Sequence, residues 1–101
     1  MDVRTETADF AFDLSDTDGY VRVDSSSGVT AQLRADHHSN FPLGASIAVE
    51  QAGAGAVTIQ AGPGVTINKP ETLITAKQFA VVTLTKIAAS TWTLAGYTTS
   101  A

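Results

Sequence analysis

The sequence has little of what many catalytic and metal sites are built from. Its 101 residues include no cysteine, which excludes disulfides, thiol nucleophiles and cysteine-ligated zinc. Charged residues make up only 16% of the chain, below the usual quarter. A charge content this low is typical of a surface that contacts other proteins, or of one covered by Ser, Thr, Asn and Gln.

Basic residues are few and isolated from one another. The chain has six Lys and Arg against ten Asp and Glu, which gives a formal net charge of −4. The six form no stripe: Arg4, Arg22, Arg34, Lys69, Lys77 and Lys86. Duplex binding draws most of its affinity from clustered Lys and Arg, so we expect no nucleic-acid partner.

Long apolar runs are also missing. No run approaches the roughly 20 residues that a membrane helix requires. The first residues carry Asp2, Arg4 and Glu6 and are followed by no apolar stretch, unlike a signal peptide. We therefore expect synthesis in a cytoplasm and no membrane partner.

What is present is a strict alternation of apolar and polar residues between turn residues. Eight segments show it: Phe10/Phe12/Leu14, Val21/Val23, Val29/Ala31/Leu33, Ile47/Val49, Val57/Ile59, Val65/Ile67, Val82/Leu84 and Trp92/Leu94. This period indicates half-buried β-strands. The sequence predicts an all-β, single-domain β-sandwich or β-barrel of about eight short strands.

Turn residues add local predictions. Asp18-Gly19 is typical of a hairpin turn, and Gly62-Pro63-Gly64 predicts a hairpin between the similar segments 57–59 and 65–67. Phe41-Pro42-Leu43-Gly44 predicts a turn into the next strand. No solenoid period is visible.

The N-terminal dozen residues differ from the rest. They are polar and then alternating, so they form either a frayed tail or an arm that pairs with the sheet edge of a neighbouring chain. We divide the chain into an N-terminal arm, residues 1–12, and a β-domain, residues 13–101.

Two clusters invite a chemical interpretation. His37 and His38 follow Asp36 in the longest polar connection, but neighbours in an extended segment point to opposite faces, so we predict a solvated loop. Asp16-Thr17-Asp18-Gly19 resembles part of a calcium loop, yet Ser25 stands where that loop requires Glu. We expect no catalytic residue, no metal and no cofactor, and hence no enzyme.

A more specific resemblance comes from the order of the turns and strands. The segments that carry it are Asp18-Gly19-Tyr20-Val21-Arg22-Val23, Phe41-Pro42-Leu43-Gly44, residues 47–55, Val57-Thr58-Ile59, Gly64-Val65-Thr66-Ile67-Asn68 and Thr91-Trp92-Thr93-Leu94-Ala95-Gly96. Together they resemble a small β-module that recurs in virion proteins of tailed bacteriophages, over roughly Leu14 to Gly96. The chain departs from that module at residues 34–38, where the module has a Pro-, Asn- and Ser-rich loop.

The resemblance implies a structural role in a phage particle. A module that makes up nearly the whole chain would attach by its own surface, as capsid decoration (cement) proteins do. Such proteins commonly form homotrimers and bind the major capsid protein on the outside of the head through an N-terminal arm. The resemblance thus implies capsid contacts by Arg4, Glu6, Phe10 and Phe12 of the arm. Separately from the module, the loop residues His37, His38 and Phe41 are candidates for surface contacts.

Two alternatives remain open within the same particle. One is a tail, baseplate or fibre subunit, which copy number would distinguish. The other is a module that binds host surface glycans. The second alternative predicts an exposed aromatic platform formed by some of Tyr20, Phe41, Trp92 and Tyr97, although the alternation of Trp92 with Leu94 favours a core position for the tryptophan.

Overall fold

A computed structural model describes residues 3–36 and 40–100. The strands are β1 (Val3–Glu6), β2 (Phe10–Ala11), β3 (Tyr20–Val23), β4 (Val29–Leu33), β5 (Ser46–Gln51), β6 (Val57–Ala61), β7 (Thr66–Asn68), β8 (Val81–Ala88) and β9 (Thr91–Gly96). A single 3₁₀ turn, Leu14–Asp16, lies between β2 and β3. The described residues contain no α-helix, which confirms the predicted all-β class. Within them, therefore, no helix could cross a membrane.

The strands form two sheets. The six-stranded sheet has the order β1-β3-β5-β8-β9-β7, and the three-stranded sheet has the order β2-β4-β6. Residues at alternate positions of both sheets point inward and share one apolar core, which holds Phe12, Leu33, Ile47, Ile59 and Trp92 among others. The architecture is therefore that of a small, sandwich-like β-domain.

The first six strands wind as a coil of three turns. Each turn places one strand in the larger sheet and the next in the smaller one, so β1, β3 and β5 stack in parallel, as do β2, β4 and β6. From the second turn to the third the register is constant: Tyr20 pairs with Ala48, and Val29 with Val57, each 28 positions apart. The chain thus contains a short stretch of stacked repeats that the alternation pattern did not reveal.

Two glycines let the third turn of the coil stack on the second. A Cβ on Gly53 would lie 2.3 Å from the Ser25 carbonyl oxygen, and one on Gly55 would lie 1.9 Å from that of Ser27. The Gly55 N–H donates to the Ser25 carbonyl at 2.8 Å across the same corner. No side chain fits between the two corners, so both positions require glycine.

The rest of the chain closes the coil. β8 pairs antiparallel with β5 and with β9, and β7 pairs parallel with β9. Residues 73–75 run along β6, with the Ile59 N–H bonded to the Leu73 carbonyl at 2.8 Å and the Thr75 N–H to the Val57 carbonyl at 3.0 Å. This segment covers the edge of the three-stranded sheet that would otherwise be open.

Both predicted hairpins are wrong, although the turns are present. β6 and β7 belong to different sheets, and the Val65 N–H closes the Gly-Pro-Gly turn onto the Gly62 carbonyl at 3.1 Å without pairing the flanking strands. The Asp18-Gly19 turn leads from the 3₁₀ turn into β3, which pairs with β1 and β5. The predicted turn at 41–44 is confirmed: Gly44 has φ +84° and the Ala45 N–H donates to the Pro42 carbonyl.

The predicted N-terminal arm is also wrong for the described residues. Val3–Glu6 pairs with β3, and Phe10–Ala11 pairs with β4. Residues 3–12 are therefore the first turn of the coil. The prediction failed because the inward positions of β1 are Arg4 and Glu6, which conceal the apolar alternation by which a strand is recognised.

Candidate interaction surfaces

The four N-terminal residues predicted to contact a capsid are used within the domain. Phe12 is 1% exposed and packs edge-on against Phe10, with ring centroids 5.2 Å apart. The Arg4 guanidinium lies 5.0 Å over the Phe10 ring, 3.1 Å from Glu6 and 3.1 Å from Asp16. Phe12 cannot contact a partner, and the other three would have to leave contacts that they already make.

The acidic segment that resembles a calcium loop is a cap for the 3₁₀ turn. Asp13 accepts from the backbone N–H of Ser15, and Asp16 accepts from that of Asp13, each at 2.9 Å. The hydrogen bond from the Ser15 hydroxyl lowers the pKa of Asp13, whereas burial raises the pKa of Asp16. Asp18 accepts from the Ser46 N–H at 3.2 Å. Among residues 3–36 and 40–100, no three His, Cys, Asp or Glu side chains converge as a metal site would require.

The connection from β4 to β5 is held by a buried lysine. Lys86 is 3% exposed, and its ammonium group donates to the Asp36 carboxylate at 2.9 Å, the Asn40 amide oxygen at 3.3 Å and the Phe41 carbonyl at 2.6 Å. The Asp36 carboxylate also accepts from the Ser90 N–H at 3.0 Å. The bond from Lys86 lowers the pKa of Asp36. All three ammonium donors are engaged, so this lysine fixes backbone rather than acting as a nucleophile.

The predicted contacts in this connection have different outcomes. His37 and His38 lie outside the described residues. Phe41 is wrong as a surface contact, because its ring is 1% exposed and packs edge-on against Trp92 with centroids 5.2 Å apart. The same packing removes Phe41 and Trp92 from any glycan-binding platform. Tyr97 stays exposed, and Tyr20 is half-buried with its hydroxyl donating to Glu50 at 2.9 Å.

Large exposed apolar side chains are grouped at two places on the domain, whereas Val3, Leu14 and Ile74 are exposed elsewhere. At the first, which we call the connection end, Leu43 is 69% and Ile87 52% exposed. The hydrogen bond from the Gly44 N–H to the Lys86 carbonyl, at 2.8 Å, joins the backbones next to these two residues. Since Lys86 also anchors the connection, the apolar pair is carried on a backbone fixed at several points.

The second place, which we call the aromatic end, contains Phe79, Val81 and Tyr97. Phe79 is 64% and Tyr97 54% exposed, and the Lys77 ammonium group lies 5.3 Å over the Tyr97 ring. The Tyr97 N–H donates to the Val81 carbonyl at 3.2 Å, which places those two residues side by side. Phe79 has φ +70°, in the left-handed region that a bulky side chain rarely adopts.

The surface depressions are open and shallow. One, of about 400 Å³, lies on the outer face of the six-stranded sheet and is lined by Asp18, Gly19, Ser46, Ala48 and Thr83. Another, of about 340 Å³, lies beside the three-stranded sheet, near Phe10, Gln32, Arg34 and Gln60.

The sequence did not mark the two apolar ends, but it did contain a signal for the buried lysine. Leu43 and Ile87 stand outside the alternating segments, so nothing marked them as core or as contact residues. Lys86 continues the inward series Val82, Leu84, which predicts a buried charge that requires partners.

Comparisons with models of protein families, with curated proteins and with solved structures gave no match.

Proposed function

We propose that this protein is a structural component of a bacteriophage virion, a decoration protein that binds the outside of the head and stabilises it. The motif resemblance over Leu14 to Gly96 supports the assignment of this chain to a phage particle. The observation that carries the binding role is the connection end, where two large apolar side chains are exposed on rigidly held backbone. Isolated exposed leucines are common, but a pair held in place resembles the preorganised anchors of protein interfaces.

The attachment that we propose uses the connection end and leaves residues 3–12 in place. Strands β1 and β2 already pair within the domain, and Phe12 belongs to its core. If β1 and β2 left β3 and β4 to pair with a capsid strand, that core would be exposed. Docking Leu43 and Ile87 against the major capsid protein buries apolar surface without unfolding any strand.

The buried lysine preorganises part of the connection for such a contact. Taking an ammonium group out of water is costly unless its donors are satisfied. Here the three acceptors come from Asp36, Asn40 and Phe41, so the lysine holds these three residues of the connection in place. Binding a partner then costs these ordered parts of the connection little conformational entropy.

Copy number and location test the role. Quantitative mass spectrometry of purified particles should find this chain at a fixed, high ratio to the major capsid protein, with copies by the hundred. A handful of copies would instead identify a tail, baseplate or fibre subunit. Absence from particles would overturn a virion role.

Leu43→Asp tests the surface. Particles stripped of this chain should rebind the wild type and bind the variant at least about tenfold more weakly, because a charge would be buried against the shell. Leu14→Asp is the matched control, since Leu14 is 53% exposed on a different element, the 3₁₀ turn. Equal binding by wild type and Leu43→Asp would overturn the assignment of the connection end.

A further inference from the structure

The outer face of the six-stranded sheet is an unusual solvent surface. Its centre carries only small uncharged side chains: Ser46, Ala48, Thr83, Thr85, Thr93 and Ala95. All six are half-buried or exposed, so no described part of the chain covers them. A sheet face in permanent contact with water normally carries long charged side chains, which this one lacks at its centre.

The two charges at the margin of this face neutralise each other. The Arg22 guanidinium lies 3.2 Å from a Glu50 carboxylate oxygen, and the Tyr20 hydroxyl donates to that same oxygen at 2.9 Å. The whole chain carries a net charge of −4. Apart from that pair the face carries one exposed carboxylate, Asp18 in the lining of the depression. Two copies would therefore repel one another less through this face than through most of their surfaces.

The face also has complementary relief at its two ends. At one end, Val81 lies between Glu50 and Tyr97, with Phe79 close by in the chain, and these side chains project. Towards the other end lies the depression of about 400 Å³ formed around Gly19, Ser46 and Ala48. When two copies pack face to face about a two-fold axis that lies in the interface and runs across the strands, the projection of each copy lies over the depression of the other.

The conformation of Phe79 is a second, independent observation. Its φ of +70° is strained for a phenylalanine, and its ring is 64% exposed, so the ring gains little burial within the chain in return. A ring held outward in this way is suited to bury itself in a partner.

We propose that the outer face of the six-stranded sheet is the interface of a two-fold symmetric dimer of this chain. Phe79 and Tyr97 of each copy cover the depression around Gly19 and Ala48 of the other. Six strands spaced about 4.8 Å apart and about 20 Å long give a face of roughly 500 Å² per copy. The pair would bury about 1,000 Å² in total, the lower limit of a specific interface.

This dimer goes beyond the proposed virion role and does not depend on it. It forms in solution without any particle and is tested at Thr83 and Phe79, whereas the capsid contact is tested at Leu43. Ile87 follows Thr85 on the outward side of β8 and so borders the dimer face. Loss of the dimer with retained particle binding, or the reverse, separates the two proposals.

Sedimentation equilibrium of the full chain, at concentrations up to about 1 mM, tests the dimer. We expect a monomer–dimer equilibrium for the wild type. Thr83→Arg, at the centre of the face, and Phe79→Asn, at the aromatic end, should each raise the dissociation constant at least about tenfold. Asn tolerates the left-handed region better than Phe, so this second variant should stay folded.

Thr58→Arg is the matched control, because Thr58 lies on the outward side of the three-stranded sheet. It should leave the dissociation constant unchanged, and thermal unfolding should show that all three variants are folded. A wild type that stays monomeric, a trimer, or a dimer weakened as much by Thr58→Arg as by Thr83→Arg would overturn the proposal.

Discussion

Two basic residues, Lys86 and Arg4, each connect separate segments of this domain through ion pairs and hydrogen bonds. Lys86 joins three points of the β4–β5 connection, and Arg4 joins β1 to the 3₁₀ turn through Asp16. In both places a buried or partly buried ion is compensated by partners from another segment. Removing one partner leaves the other uncompensated, which costs more than the pair contributes when intact.

Asp36→Asn should lower the free energy of unfolding at neutral pH by about 2 kcal/mol, because Lys86 stays buried without its anionic partner. The carboxylate of Asp36 is more stable in the folded state, since the bond from Lys86 lowers its pKa below 3.8. Its contribution is fully present above that ordinary value and is lost as the pH falls through the lowered one.

Denaturant unfolding of wild type and Asp36→Asn between neutral pH and about pH 2 measures this dependence. The difference between the two should be constant above 3.8 and shrink below it. Asp24→Asn, which changes an exposed carboxylate, is the control and should show a much smaller difference. A difference for Asp36→Asn that does not depend on pH would refute the ion-pair explanation.

The backbone conformation of Phe79 predicts that a substitution there stabilises the domain, in contrast to Asp36→Asn. Phe79→Asn should raise the free energy of unfolding of the monomer by up to about 1 kcal/mol, since Asn adopts a positive φ more easily. Chemical denaturation at low protein concentration measures it. A loss of more than about 1 kcal/mol would mean that the ring packs within its own chain.

At the scale of elements, the strands were predictable and their partners were not. Alternation placed Val21/Val23, Val29/Leu33 and Val57/Ile59 correctly on the buried face. The same alternation suits parallel and antiparallel neighbours, so glycine-rich turns were interpreted as hairpins. Within the coil, pairing depends on contacts between residues 17 to 28 positions apart, which no local pattern encodes.

A signal for the coil was nevertheless present. Val29-Thr30-Ala31-Gln32 and Val57-Thr58-Ile59-Gln60 share three of four residues, and those identical residues pair directly in the structure. The similar segments 57–59 and 65–67, from which a hairpin was predicted, lie in strands of different sheets. The exposed apolar ends could not be located from sequence, because exposure at Leu43 and Phe79 follows from the packing of distant segments.

Gly55→Ala tests the stacking of the coil. Its Cβ would lie 1.9 Å from the Ser27 carbonyl oxygen, so the corner must open, and we expect a loss of about 3 kcal/mol of unfolding free energy. Gly28→Ala is the control, since its Cβ would lie 3.8 Å from the nearest backbone atom. Thermal or denaturant unfolding compares the two, and equal stability of both variants would show that the corners do not pack as described.

At the scale of the whole molecule, the domain presents two neighbouring candidate surfaces. The connection end carries Leu43 and Ile87. The centre of the outer face of the six-stranded sheet carries only small uncharged side chains. We assign the first to the capsid and the second to a copy of the chain. A decoration protein with both contacts would link neighbouring capsid subunits through its own dimer, which adds avidity to each contact.

The most direct test is a cryo-EM reconstruction of particles that contain this chain. We expect density for the two-sheet domain on the outside of the head, with Leu43 and Ile87 facing the shell and β1 still paired with β3. Density only at the tail, or a domain attached to the head through β1 and β2 in place of the connection end, would contradict the function and the attachment that we propose.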